Sequence, residues 1–163
     1  MAIDITTLTP AEIAAMSTAQ IAALSAANWS AFSAEQIAAL SAEQTVVISP
    51  THISRLDATQ VAAFMPDSLA AMTATQVRSI MPVAIAALNA SSLEAFTTAQ
   101  IGALTTAQVR AISSAELPSL STETLGGFSS QQIAALATLQ VDALTADQLQ
   151  SLSTAQLRGF TAS

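Results

Sequence analysis

The sequence predicts an all-α solenoid of very short helices, and three observations support this prediction. Every eighth residue from Leu8 to Phe160 is a large apolar side chain, in all 20 positions. The next residue is Ser or Thr in 15 of the 20 units that begin between Thr9 and Thr161. The five phenylalanines lie 32 residues apart. An eight-residue unit within a 32-residue super-period is typical of a solenoid, in which each unit contacts only its neighbours.

Each eight-residue unit, here called an octad, begins with a helix N-cap. The octad at residues 17–24 reads Ser-Thr-Ala-Gln-Ile-Ala-Ala-Leu. A Ser or Thr followed three residues later by Gln or Glu is a capping box, in which each residue bonds the backbone amide of the other. Proline follows the cap, at the helical position where a missing N–H is harmless, at Pro10, Pro50, Pro66 and Pro82. Pro118 departs from this rule.

The fifth and eighth positions of each octad form the apolar face. They lie three residues apart and therefore on one side of a helix. A helix of about six residues is roughly 9 Å long and is not stable alone, so packing must stabilise it. The fifth position is apolar except at Thr45. The seventh is small almost throughout, with Val47 and Arg55 as clear exceptions, which allows close approach of neighbouring backbones.

Two other architectures do not fit this pattern. In a continuous helix, alternating spacings of three and five residues average four per turn instead of 3.6, so the apolar stripe would drift around the rod. Capping residues every eight positions also argue against one long helix. A strand-based solenoid needs an apolar residue at every second position, and the octads lack this alternation.

The 32-residue super-period predicts how the short helices are arranged. Phenylalanine alone fills one of the four eighth-position columns, and a fifth-position column is nearly all β-branched: Ile13, Thr45, Val77, Val109 and Val141. Such sorting is expected when like residues stack on like. We expect four helices per 32-residue coil, about five coils, and a single domain over residues 1–163. With helix layers about 8–10 Å apart, the rod would be roughly 40–50 Å long.

Composition and charge exclude several classes of function. The net charge is −7, and the four basic residues are all arginine. We therefore expect no nucleic-acid partner, since such binding depends on neutralising phosphates. No apolar run is long enough to span a membrane, so membrane insertion is not expected. No cleavable signal peptide is visible at the N-terminus. Cysteine is absent, which excludes disulfides and thiolate metal sites.

The sequence does not predict a catalytic or metal site. A nucleophile needs an adjacent base, but the chain has one histidine and no cysteine, lysine or tyrosine. That histidine, His52, occupies the fourth position of its octad, where we expect it to substitute for Gln as a capping partner. The eleven acidic residues are scattered, and no set of three or four metal ligands can be assembled. We expect a non-enzymatic protein without cofactor or metal.

Residues 45–55 depart most from the repeat. Thr45 lies in a core position, His52 replaces Gln, and Arg55 replaces a small residue. These three residues are a candidate interaction patch for a peptide or protein. The alternative interpretation is a locally repacked coil.

Two further features have structural interpretations. Arg78, Arg110 and Asp142 occupy one column, 32 residues apart. We expect an exposed ladder in which Arg110 faces Asp142, worth about 0–1 kcal/mol. Trp29 fills a fifth position near the first coil, where a larger core residue or an end plug is expected.

The ends of the array predict further stacking. Solenoids need polar terminal units, yet the octad at residues 153–160 matches the consensus. We expect either an excerpt from a longer array or self-association by end-to-end stacking.

This sequence resembles three known protein families, two of them over short segments and one over the whole chain. The segments Leu8-Thr9-Pro10-Ala11-Glu12-Ile13 and Leu104-Thr105-Thr106-Ala107-Gln108-Val109 resemble the opening of a transcription-activator-like effector repeat, but base-reading positions and basic residues do not follow. Leu-Thr-x-x-Gln also resembles a short motif of a periplasmic chaperone family. Over the whole chain, the Ser/Thr-x-x-Gln-Ile-x-x-Leu unit resembles octapeptide arrays of long bacterial secreted or surface proteins.

The last resemblance implies a spacer or stalk, in some cases with a role in adhesion, located outside the cell or at its surface. A cytoplasmic location stays open. Our expectation is a structural repeat module of this kind. The alternative is a peptide- or protein-binding scaffold that uses the patch at residues 45–55, and a third hypothesis is a flat array of caps that binds ice or another ordered surface.

Overall fold

The computed structural model describes residues 3–160, and in this range the chain forms a series of short helices. Eighteen α-helices and two 3-10 turns are present, and no β-strand occurs between residues 3 and 160. Their contacts repeat along the chain, which confirms the predicted helical solenoid.

The first nine helices are α1 (Pro10–Ala14), α2 (Thr18–Ala22), α3 (Ala26–Ala31), α4 (Ala34–Ala38), α5 (Ala42–Val46), α6 (Pro50–Ile53), α7 (Ala58–Ala62), α8 (Pro66–Ala71) and α9 (Ala74–Ser79). The others are α10 (Pro82–Ile85), α11 (Ala90–Glu94), α12 (Thr98–Ala103), α13 (Thr106–Ala111), α14 (Thr122–Gly126), α15 (Ser130–Ala134), α16 (Thr138–Asp142), α17 (Ala146–Ser151) and α18 (Thr154–Phe160). The 3-10 turns are Ile5–Thr7 and Leu117–Ser119.

Capping boxes begin most of these helices, as predicted. Before α12, the Thr97 hydroxyl accepts from the Gln100 amide at 3.2 Å, and Gln100 Oε1 accepts from the Thr97 amide at 2.7 Å. The same reciprocal pair begins octads at Thr9, Ser17, Ser25, Ser33, Ser41, Asp57, Thr73, Thr105, Ser129, Thr145 and Ser153. The four prolines predicted at the first helical turn are all found there. Each box satisfies amides that a helix start otherwise leaves unpaired.

The helices end because the chain becomes extended at the eighth position. Phe32, which follows α3, has φ −62° and ψ 132°, and the next cap, Ser33, is also extended, with φ −76° and ψ 162°. Two successive extended residues turn the chain into the next helix. No residue between 3 and 160 has a positive φ, so these corners need no glycine.

Each octad contacts two octads of the preceding coil. Helices pack against those three octads away, as α5 does with α8 and α10 with α13. Glutamine side chains reach further, to backbone carbonyls 28 and 31 residues earlier, in the octad four before their own. The glutamine bonds follow the predicted 32-residue spacing of four octads, and the helices also pack at a spacing of three octads.

The core consists of the fifth and eighth positions, as predicted. Every fifth-position side chain from Ile5 to Ile133 is at most 1% exposed. Eighth-position side chains from Leu24 to Phe128 are at most 4% exposed. Full burial of such a side chain is worth about 1.5–3 kcal/mol, which is how packing stabilises helices too short to form alone.

Small residues at the seventh position permit close contact between coils. A Cβ added to Gly159 would lie 2.6 Å from the Ser130 carbonyl oxygen. One added to Gly127 would lie 3.2 Å from Ile101 Cγ2. Both contacts are tighter than normal van der Waals distances, so the predicted role of a small seventh residue holds at these two positions.

Candidate functional site

The fourth-position glutamine connects the start of its own helix to the end of another. Gln108 Oε1 accepts a hydrogen bond from the Thr105 amide at 2.8 Å. Gln108 Nε2 donates to the carbonyl oxygens of Val77 at 2.8 Å and Ile80 at 2.7 Å. The side chain is only 1% exposed. The buried side-chain amide of Gln108 therefore caps α13 and is also hydrogen-bonded to the coil that contains α9.

Among residues 3–160, ten glutamines make this pair of contacts, and we call the set the glutamine ladder. In each, Nε2 lies 2.6–3.1 Å from the carbonyl oxygens 31 and 28 residues earlier, at the fifth and eighth positions of an octad. All ten are buried. They are Gln36, Gln44, Gln60, Gln76, Gln100, Gln108, Gln132, Gln140, Gln148 and Gln156.

The ladder solves a problem created by very short helices. The last carbonyls of any helix lack an intrahelical donor, and in a five-residue helix they are most of the carbonyls. Leaving such a buried group unpaired costs about 1–3 kcal/mol. The glutamine Nε2 supplies a donor to the eighth-position carbonyl and a second donor to the fifth-position carbonyl, which also accepts from the amide three residues later, as Val77 does from Ile80. A glutamate carboxylate can only accept. Glutamine is therefore favoured wherever another coil lies beneath the fourth position.

Sequence reasoning missed this second contact because it treated Gln and Glu as equivalent capping partners. The preference for Gln over Glu at the fourth position of the octad could have revealed this contact. Among the twenty fourth positions from Asp4 to Gln156, Gln occurs eleven times and Glu twice. A capping box alone accepts either residue, so a strong preference for the amide indicates a donor role.

One column of fourth positions lacks glutamine three times in succession, at His52, Ala84 and Glu116, and we call these residues the ladder gap. None of them donates a side-chain hydrogen bond to the preceding coil in the described part of the chain. Helices α6 and α10 have only four residues, and the octad of Glu116 forms a 3-10 turn that contains Pro118. Glu116 instead accepts from the Ala90 amide at 2.6 Å. The chain is least regular along this column.

The three residues of the predicted interaction patch have different environments. Thr45 is fully buried, and its hydroxyl donates to the Ser41 carbonyl at 2.9 Å. It therefore lies in the core and offers no surface to a partner. His52 is half-buried and Arg55 is exposed, both in the first octad of the ladder gap. A binding role for these two stays a prediction.

His52 forms one end of an aromatic stack. Its ring lies 6.0 Å from Trp29 at 25°, and Trp29 stacks on Phe32 at 4.8 Å and 15°. Trp29 is fully buried, which fits the expected larger core residue, and its Nε1 has no hydrogen-bond partner among residues 3–160. Burial lowers the pKa of His52, and the positive charge of Arg55 lowers it further. The expected capping role of His52 is corrected, since no capping box forms and the imidazole stacks instead.

The predicted surface ladder of Arg78, Arg110 and Asp142 is exposed along its length. Arg78 Nε donates to the Ala103 carbonyl at 3.0 Å, and Arg110 Nε donates to the Ala135 carbonyl at 2.9 Å. Each arginine thus bonds a backbone carbonyl 25 residues later. These arginines join coils on the outer surface in the direction opposite to the glutamines.

The surface of the described residues has clefts of about 320–430 Å³. One of about 320 Å³ is lined by polar groups that include Glu94, Ser121 and Glu123. Glu94 is already engaged, because it accepts from the Ser121 amide at 2.7 Å. Within residues 3–160, no group of three or more His, Cys, Asp or Glu side chains is placed to hold a metal ion. No helix in the same range has the length and apolar character to cross a membrane.

Comparison with known proteins finds similarity to a repeat family. A family model described as ALTTAQ repeat matches residues 84–122 and 109–146. Residues 103–108 themselves read Ala-Leu-Thr-Thr-Ala-Gln, and they include the cap and ladder glutamine of α13. A comparison with curated proteins gives no match. The chain is similar to a repeat family over these octads, in agreement with the repeated contacts of the fold.

Proposed function

We propose that this chain is a non-enzymatic structural repeat module, a spacer or stalk of a bacterial surface or secreted protein, with adhesion as a related role. The glutamine ladder is the observation that carries this proposal. Each ladder glutamine bonds only its own octad and the octad four before it. Octads can therefore be added without altering the contacts of those already present, which is what a spacer of adjustable length requires.

Other observations support the same function. The similarity to a repeat family covers octads that carry ladder glutamines, including Gln108 and Gln132. The chain is acidic, with a net charge of −7, which disfavours nucleic acid as a partner. The buried polar groups of the ladder are engaged in packing, so they are not available to act on a substrate.

Insertion of one additional coil tests the spacer function. A second copy of residues 97–128 placed after Phe128 should keep the helical content per residue and lengthen the particle by about 8–10 Å, one helix layer. Small-angle scattering and circular dichroism measure both quantities. A scrambled segment of the same composition is the matched control. A native insert that unfolds, or leaves the length unchanged, would contradict the proposal.

Antibody labelling of intact cells tests the proposed location. Antibodies raised against the chain should label intact cells of the source organism. Labelling that appears only after lysis would place the chain inside the cell and remove the surface role.

A peptide- or protein-binding scaffold is the second candidate, and the ladder gap favours it. His52 and Arg55 lie in one octad of the ladder gap, which lacks a ladder glutamine, and Arg55 is exposed. Peptides selected from a displayed library on the chain should lose binding when both residues are replaced by alanine. Arg78→Ala is the control, since it removes an exposed arginine elsewhere. Equal binding to all three proteins would eliminate the patch.

End-to-end stacking of coils belongs to the structural proposal. The fifth-position side chains Leu149 and Leu157, in the last described octads, are 38% and 44% exposed. Their counterparts from Ile5 to Ile133 are at most 1% exposed. The final described coil thus presents an apolar face of the kind that the rest of the solenoid buries.

A further inference from the structure

Both asparagines of the chain stand in the same three-residue motif. Asn28-Trp29-Ser30 and Asn89-Ala90-Ser91 each place a serine two residues after the asparagine. An asparagine followed by any residue except proline, and then by Ser or Thr, is the acceptor pattern for N-linked sugars at the surface of secreted proteins. The two motifs have different environments in the fold, and these decide which asparagine can carry a sugar.

The side-chain nitrogen of Asn28 is already engaged. Nδ2 donates to the Ile3 carbonyl at 2.8 Å, and Oδ1 accepts from the Ser25 amide at 2.9 Å and from its hydroxyl at 2.7 Å. Asn28 is half-buried, and the next residue, Trp29, is fully buried in the core. A sugar on this nitrogen would compete with the bond to Ile3, so the fold disfavours modification of Asn28.

Asn89 has an exposed side chain whose nitrogen is unbonded. The residue is extended, with φ −82° and ψ 172°, immediately before α11. Its Oδ1 accepts from the Ser92 amide at 2.9 Å, whereas Nδ2 makes no hydrogen bond within residues 3–160. Ser91 is also exposed. The two residues that define the motif therefore both lie at the surface.

A sugar on Asn89 is compatible with the hydrogen bonds of this corner. An N-linked asparagine keeps its side-chain carbonyl oxygen, so Oδ1 can still accept from the Ser92 amide. The middle residue of the motif is held independently, because the Ala90 amide donates to Glu116 Oε2 at 2.6 Å. Modification therefore leaves the start of α11 and its bond to the ladder gap intact.

The equivalent position in two other octads borders a cleft. Ser33 and Ser121, each the first residue of its octad, line clefts of about 430 and 320 Å³. Both clefts have a glutamate at the third position of that octad, whereas the octad of Asn89 has Ser91 there. The surface beside Asn89 is therefore uncharged at this position, which suits a neutral sugar.

We propose that Asn89 is the acceptor of an N-linked sugar and that Asn28 stays unmodified. In the transfer, the anomeric carbon of a sugar esterified to phosphate forms a bond to Nδ2, and its bond to the phosphate oxygen breaks. The phosphate leaves with the bonding electrons, and Nδ2 gives up one proton. The site deepens the proposed function, on which it rests, because a sugar at an exposed corner belongs to a secreted or surface protein.

Peptide mass spectrometry of the chain purified from its source organism tests the site. Cleavage after arginine separates the two motifs, since Asn28 precedes Arg55 and Asn89 lies between Arg78 and Arg110. The peptide that contains Asn89 should carry the added mass of a sugar, and fragmentation should place this mass on Asn89. The peptide that contains Asn28 should have its unmodified mass.

Ser91→Ala should abolish the modification, because it destroys the motif. Ser92→Ala is the matched control, since it makes the same change at the next residue and keeps the motif. Both variants retain Asn89 and the backbone amide that it caps, so both should fold. An unmodified Asn89 in the wild-type chain would overturn the inference, and so would a sugar that persists in Ser91→Ala or a sugar on Asn28.

Surface labelling and the sugar are separate readouts. A chain that labels on intact cells without a sugar on Asn89 would overturn this site and leave the structural module standing. A chain that carries the sugar but labels only after lysis would support the site and contradict the proposed location.

Discussion

The side-chain nitrogen of Gln108 lies 2.7 Å from the carbonyl oxygen of Ile80, 28 residues earlier. Gln108 also accepts from the Thr105 amide, so the start of one helix and the end of another depend on the same side chain. In most helical proteins, capping is local and stacking is apolar. Here a single amide contributes to both, and the stability of each helix is coupled to the coil next to it.

Replacing Gln108 by Glu should destabilise the protein by about 3 kcal/mol. The variant keeps an acceptor for the Thr105 amide, but it leaves the Ile80 carbonyl without its side-chain donor, removes the second donor to the Val77 carbonyl, which keeps the Ile80 amide, and places a charge beside both. Gln131→Glu is the control, since Gln131 is exposed at a third position and makes the same change in charge. Chemical denaturation measures both variants. Equal free energies of unfolding would contradict the donor role.

Replacing Gly159 by Ala should cost about 1–3 kcal/mol, because the added Cβ would lie 2.6 Å from the Ser130 carbonyl oxygen. Gly126→Ala is the matched control, since no atom lies within 4 Å of its added Cβ. That variant should be neutral or gain up to about 1 kcal/mol from the lower entropy of the unfolded chain. Thermal unfolding and amide exchange in α18 report the difference. Similar effects of the two changes would argue against close backbone contact.

The stability of the chain should fall as the pH is lowered below about 6.5. Burial and Arg55 lower the pKa of His52 in the folded protein, so the unfolded chain binds its proton first. The contribution of neutral His52 is complete above the unfolded pKa and is lost as the pH falls toward the folded pKa. His52→Gln should remove this dependence, which begins near the unfolded pKa of about 6.5 and extends to lower pH. A variant with the same pH profile as the wild-type protein would refute the role of His52.

Acid should loosen the N-terminal octads first. The pKa is lowered at Asp4, Glu12, Glu35 and Glu43, chiefly by hydrogen bonds to caps or helix-start amides, and all four lie in the first 43 residues. Folding therefore favours their ionised forms. Their contribution is present above the ordinary carboxyl pKa, near about 4, and is lost as the pH falls through the folded values. Amide exchange at about pH 3 and about pH 5 should show protection lost before Ile48 but kept beyond Phe96. A uniform loss would contradict this prediction.

Local features of the fold could be predicted from the sequence because their causes are local. The cap of α12 is one case: the hydroxyl of Thr97 and the amide of Gln100 lie within one turn, so their spacing alone indicates a helix start. The proline at the first helical position and the burial of the fifth and eighth residues follow from single-helix geometry in the same way.

Contacts between coils could not be predicted in the same detail. The 32-residue spacing of the phenylalanines identified octads that touch through the ladder, but helix packing repeats at three octads, and side-chain sorting does not reveal that shorter interval. The donor role of Gln108 was hidden because its capping role already explained its position. Thr45 was predicted to belong to an interaction patch because it is a polar residue in a core position. Its hydroxyl donates to the Ser41 carbonyl in its own octad, and this bond allows a polar side chain in the core.

Scalar coupling across the hydrogen bonds of Gln108 tests the glutamine ladder most directly. In an isotopically labelled sample, nuclear magnetic resonance should show coupling from Gln108 Nε2 to the carbonyl carbons of Val77 and Ile80, 31 and 28 residues earlier. The side-chain amide protons should also exchange slowly, since the group is buried. Absence of both couplings, with rapid exchange of the amide protons with solvent, would show that Gln108 only caps its own helix and that the coils are held together by other means.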